Sequence, residues 1–97
     1  MGVRVGDVDT FREVAPDKAR ALKPLEEAAE VFGAWQMWGG GTGWPGDPLA
    51  DSYRSYLLDE CADVIQATCN LVAALGVEDF SPYMARCRGR NEERGRM

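Results

Sequence analysis

Apolar positions recur every three or four residues along most of the chain, and no stretch alternates convincingly with period two. From Pro16–Asp17 to about Trp38, Leu22, Leu25, Ala29 and Phe32 step by threes and fours, and Ala28, Val31 and Trp35 widen the apolar side. Pro24 falls inside this run, so the helix either kinks there or begins its main part with Pro24 in the first turn. From about Ala50 to Leu75, Tyr53, Tyr56, Leu57, Val64, Ala67, Leu71 and Leu75 follow a helical period, and Gly76 is placed to end it. Asp79 or Ser81 caps a last helix, with Pro82 near its first position. It passes Tyr83, Met84 and Cys87 to about Arg94, and Gly95 stops it. Between the first two helices, Gly39–Pro48 holds five glycines and two prolines, which predicts a loop, either a lid or a long connection. Residues 1–15 show no period and predict a loose arm or a short turn of helix ahead of a domain over 16–97. The expected class is all-α, a bundle of three to four helices per chain.

Composition narrows what such a bundle does. At 97 residues, 45% hydrophobic, the chain is one domain. It should bury roughly 65% of its unfolded surface, which makes a thin core. No apolar stretch approaches the ~20 residues of a membrane span. The start, Met1–Asp7, has no apolar signal region, so no membrane and a cytoplasmic location are expected. There is no histidine, which excludes Ser-His-Asp and Cys-His chemistry and every imidazole base or ligand. Cys61, Cys69 and Cys87 are odd in number and lack CxxC spacing, as expected of reduced thiols rather than a disulfide or zinc scaffold. Cys61 and Cys69 read as small buried hydrophobes. The net charge of -5 is uneven: residues 1–83 carry 6 Lys/Arg against 14 Asp/Glu, and residues 84–97 carry 5 Arg against 2 Glu. An acidic body argues against general nucleic-acid binding.

The candidate chemistry lies in two acidic clusters, Glu26–Glu27–Ala28–Ala29–Glu30 and Glu60–Cys61–Ala62–Asp63. Each holds a pair at i, i+3, Glu27/Glu30 and Glu60/Asp63, whose Cβ atoms come ~5–6 Å apart on one helical face. Like charges at that spacing weaken a helix, and acids beside a core stripe need a partner. Few cationic side chains are on hand, so a hard divalent cation held by four carboxylates, Mg²⁺ or Mn²⁺, is the expected partner. The competing reading makes these acids the solvated faces of two amphipathic helices.

Glu26-Glu27-x-x-Glu30 followed by Glu60-x-x-Asp63 resembles the EExxE…ExxD signature of the MazG-like all-α nucleoside triphosphate pyrophosphohydrolases. Leu58–Ile65 looks like that family's second metal helix, and Arg90–Asn91–Glu92–Glu93–Arg94–Gly95–Arg96 is similar to its closing element. The resemblance covers about residues 22–96. The 29 residues between Glu30 and Glu60 make a long linker for the family.

The resemblance implies Mg²⁺-dependent hydrolysis of a nucleoside triphosphate to monophosphate and pyrophosphate, with Glu27, Glu30, Glu60 and Asp63 on the metal. One of these, or Glu26, takes the proton from water. It also implies a homodimer or homotetramer, because a 97-residue helical chain encloses little volume for a nucleotide. Arg90 and Asn91, with Arg94, are the expected phosphate binders. Lys23 either reaches a phosphate or pairs with Glu26 and Glu27. Trp35, Trp38 and Trp44 read first as core or interface anchors and second as stacking surfaces for a base. Two alternatives stand beside this function: a non-catalytic helical bundle for protein interaction, and a pyrophosphohydrolase of a phosphoribosyl-ATP-like substrate.

Overall fold

A computed structural model describes residues 2–39 and 46–97. These form three helices and no strand: α1, Lys18–Met37; α2, Ala50–Ala74; and α3, Ser81–Glu93. The all-α expectation is met. Residues 40–45, with Trp44 and most of the glycine-rich loop, lie outside the described residues.

Local chemistry sets the helix ends. Asp17 caps α1, its carboxylate accepting from the Arg20 amide at 2.9 Å, and the helix continues past Pro24, which lies inside it rather than in its first turn. At the end of α2, Gly76 takes a φ of 79°, a left-handed value that costs glycine least. The Gly76 amide donates to Ala73 O at 2.9 Å and the Val77 amide to Val72 O at 3.3 Å, the paired bonds of a Schellman stop. The same device closes α3: Gly95 has a φ of 72°, and its amide and that of Arg96 donate to Glu92 O and Asn91 O.

Helices α1 and α2 pack on one another, and α3 packs on neither. The side of α1 drawn out of solvent runs through Arg20, Pro24, Glu27, Val31, Ala34 and Trp38. The stripe expected to form the core points elsewhere: Leu22, Leu25, Ala29 and Phe32 are all exposed. The physical reason is that α1 carries two rows at helical spacing, and the row holding small Ala34 and rigid Pro24 is the one seated on α2. On α2 the expectation holds better. Tyr53, Leu57, Val64, Ala67 and Leu71 are half-buried or buried, and Tyr56 and Leu75 are exposed.

The arm departs from the expected loose segment where it crosses α2. Asn70, only 2% exposed, accepts from the Phe11 amide at 3.0 Å and from Gln66 Nε2 at 3.0 Å, and Gln66 Nε2 also donates to Asp9 O at 2.9 Å. Arg20 lies over the Phe11 ring at 5.6 Å and donates to Glu13 O. A buried amide that needed partners has recruited backbone from the arm, which therefore lies strapped across α2.

The result is an open molecule. Ala34 and Ala67 are the buried hydrophobic residues among those described, and no large side chain is fully buried. The radius of gyration is 16.0 Å, against about 13 Å for a compact chain of this length. No described helix is long and apolar enough to cross a membrane.

Candidate metal-binding site

The α1–α2 contact brings three of the expected acids together. One carboxylate oxygen each from Glu27, Glu30 and Glu60 lies within 4.8 Å of the others. Glu60 sits on the contact line of α2 and is 8% exposed, and Glu27 occupies the matching line of α1. Glu30 is off that line and exposed, but the length of a glutamate side chain carries its carboxylate back to the group.

Asp63 does not join the three. It lies one turn beyond Glu60, rotated off the row formed by Tyr53, Leu57, Glu60, Val64 and Ala67, and it is exposed. Its charge is still felt at Tyr56, as described below.

The electrostatics of the group are unbalanced. Lys23 Nζ stands 3.4 Å from Glu27 Oε1 and 3.5 Å from Glu26 Oε2, so the pairing expected at i+3 and i+4 is formed. Its ammonium is held above the ordinary lysine range, first by hydrogen bonding and attraction to Glu27 and then by Glu26. Lys23 faces Glu26 and Glu27 and leaves Glu60 unanswered. Glu60 Oε2 is shut off from solvent and has no hydrogen-bond donor among the described residues. A buried carboxylate oxygen without a donor is costly. An all-oxygen donor set with one oxygen already stripped of water fits a hard divalent cation.

Tyr56, one turn before Glu60, belongs to this site although its spacing reads as core. Its phenol is pushed above the usual tyrosine range, chiefly because its anion would face Glu60, with lesser contributions from burial, a hydrogen bond to Glu60, and the charges of Glu30 and Asp63. The i, i+4 relation to Glu60 is the signal in the sequence that points to it.

The expected phosphate binders stand elsewhere. Arg90 and Arg94 are exposed at the far end of α3, which touches neither α1 nor α2. Asn91 is engaged locally: its Nδ2 donates to Cys87 O at 3.0 Å and its Oδ1 accepts from Arg96 Nη1 at 3.2 Å. The Asn91–Arg94–Gly95–Arg96 ending thus has a structural use as a helix stop. Arg88 pairs with Glu92 at 2.9 Å and Arg86 lies over the Tyr83 ring at 5.1 Å. Trp35 stacks on Phe32 with centroids 5.7 Å apart, on the exposed side of α1. All three cysteines are free and half-buried.

No protein-family model, no curated protein and no solved structure matches the chain.

Proposed function

We propose that this protein is a divalent-cation-dependent nucleoside triphosphate pyrophosphohydrolase of the MazG-like kind, working as a homo-oligomer. The observation that carries the reading is the convergence of Glu27, Glu30 and Glu60 across two helices, with Glu60 Oε2 buried and lacking a donor. Glu27, Glu30 and Glu60 would hold Mg²⁺ or Mn²⁺, and Asp63 lies one turn from Glu60 to extend the set. The cation would supply charge neutralisation on the triphosphate and polarisation of a water. Glu26, 60% exposed in its side chain at the rim, is a base within reach of solvent water. Lys23 is a cation at the mouth that is free to exchange a carboxylate for a phosphate. For Arg90 and Arg94 to add to this, α3 of the same or a second copy closes over the α1–α2 pair.

The test is a panel of ribo- and deoxyribonucleoside triphosphates, with a phosphoribosyl-ATP analogue, in Mg²⁺ and in Mn²⁺. Pyrophosphate and monophosphate are the expected products, and Glu60→Gln should lower the rate by ~100-fold or more, as loss of a metal-holding group does. Orthophosphate with a diphosphate product would refute the reaction assigned.

The use of Asn91, Gly95 and Arg96 as a helix stop, with the open apolar side of α1, favours the non-catalytic interaction bundle as the second reading. Absence of turnover together with absence of cation binding by calorimetry selects it.

A further inference from the structure

Helix α3 touches neither α1 nor α2, but the N-terminal arm reaches all three. Gly2 faces Met84, Ala85, Arg88 and Arg96 across an open cavity of about 860 Å³. Further along, the arm is held by its main chain at every second residue. Asp9 O accepts from Gln66, the Phe11 amide donates to Asn70, and Glu13 O accepts from Arg20. An extended segment turns alternate residues to one side, and here that side meets α2 and the start of α1. We propose that the arm is a clasp. Fastened, it keeps α3 apart from the α1–α2 pair. Released, it lets α3 turn at Gly76 and lie back along α2, with Arg90 and Arg94 beside Glu27, Glu30 and Glu60.

Reach permits this. At about 1.5 Å per residue, Glu60 lies about 21 Å before the end of α2, and Arg94 about 20 Å beyond the start of α3. A reversal between the helices therefore brings the two to one level. The link over 75–80 is exposed except at Val77, and Gly76 already holds the left-handed φ of 79°.

Charge favours the closed state. Three carboxylates gather beside one ammonium, and Glu60 Oε2 lacks a donor. Arg90 and Arg94 stand exposed, outside the ion pairs of the described residues. Guanidinium and carboxylate match as a two-bond pair, yet the fastened arm leaves these groups apart. The fastening itself is slight. Its bonds are exposed or only part-buried, and such contacts open far more often than packed helices.

The effect on turnover rests on the hydrolase reading above; the clasp does not. Closure brings arginines toward the triphosphate, so the fastened state is the less active one.

Electron–electron double resonance on the full chain tests the clasp. Cys61, Cys69 and Cys87 are changed to serine, and spin labels sit at Asp59→Cys on α2 and Glu93→Cys on α3. Dilution into excess unlabelled chain confines the distance to one copy. Phe11→Pro removes the amide that Asn70 accepts from, and Gln66→Ala removes the hold on Asp9. Either should shift the population toward a shorter distance, changing the fastened-to-released ratio on the order of 10-fold. Phe11→Leu keeps the amide and should shift it far less. Arg90→Glu with Arg94→Glu, added to Phe11→Pro, should restore the long distance. Circular dichroism verifies helicity, and Gln66→Ala, which places a strong helix former in α2, keeps the test decisive if Phe11→Pro fails to fold. Distances that only broaden, or that move in neither variant, overturn the clasp. Shortening that survives the double glutamate change overturns the closed state assigned to the arginines. In Mg²⁺, pyrophosphate release should rise in Phe11→Pro. Shortened distances without turnover in any variant overturn the hydrolase reading and support the clasp alone.

Discussion

At the residue scale the decisive group is Glu60. One oxygen of its carboxylate, Oε2, is shut away from solvent without a donor among the described residues, and an unmet buried acceptor costs the metal-free fold stability. Replacement by the isosteric amide should therefore leave the metal-free protein as stable as the wild type or more so. In the wild type, Mg²⁺ at 100 times its dissociation constant should add ~2.7 kcal/mol. That amounts to roughly ten degrees or more in Tm, at ~4–8 °C per kcal/mol for a domain of this size. Differential scanning fluorimetry should find this shift in the wild type and lose most of it in Glu60→Gln. If the variant melts lower without metal and Mg²⁺ leaves the wild type unmoved, the acids are not a cation site. The gathering of three of the four acids was legible in part, because i, i+3 spacing fixes which acids share a helix face. The same spacing did not reveal that Asp63 is rotated off the contact, since orientation toward another helix depends on packing.

At the element scale, α3 tests how a helix stands with little support from the rest of the chain. Asp79 precedes it and accepts from the Ser81 amide at 3.0 Å. Its carboxyl is held below the usual aspartate range, first by the Ser81 side chain and then by the Ser81 amide. A lowered value in the folded state means the unfolded chain takes up the proton first as pH falls. The contribution is present in full well above the unfolded value of about 3.9 and is lost as pH falls through the lower folded value. Helicity lost over that window, followed by circular dichroism, should be smaller in Asp79→Asn than in the wild type. An identical acid profile in the two would show that Asp79 does not hold the helix start. Helix stops were the most legible part of the fold, because Gly76 and Gly95 act through local bonds; the start of α3 was less so, since Phe80 holds its N-cap position without a side-chain cap bond, and neither Asp79 nor Ser81 does. The strapped arm was not legible: the Asn70–Phe11 bond joins residues 59 apart in sequence, and nothing local announces it.

At the scale of the whole molecule, the described residues make the helices of a bundle without the interior of one. Ala34 and Ala67 are too small to hold a domain together by burial, since the hydrophobic contribution scales with the apolar area removed from water. Stability should accordingly depend on association, and Tm should climb with protein concentration, as mass action demands of a fold completed by a partner. Equal Tm values across a wide concentration range would show that the single chain is sufficient. The all-α class was readable from periodicity, but the core was not. On α1 two rows repeat at helical spacing, and the apolar pattern cannot say which one a neighbour from the same chain will claim.

Pro24 gives α1 a seam. Without an amide hydrogen it cannot answer the Arg20 carbonyl, so the ladder of bonds is interrupted within the helix. On one side lie Lys18–Lys23, the arm fastened by Gln66 and Asn70, and the far end of α2. On the other lie Glu27, Glu30 and Glu60. Opening at the strapped end need not travel past the seam, so amide exchange should divide the chain into two cooperative units. The arm can then breathe, or be pulled aside, on its own clock while the carboxylates stay assembled.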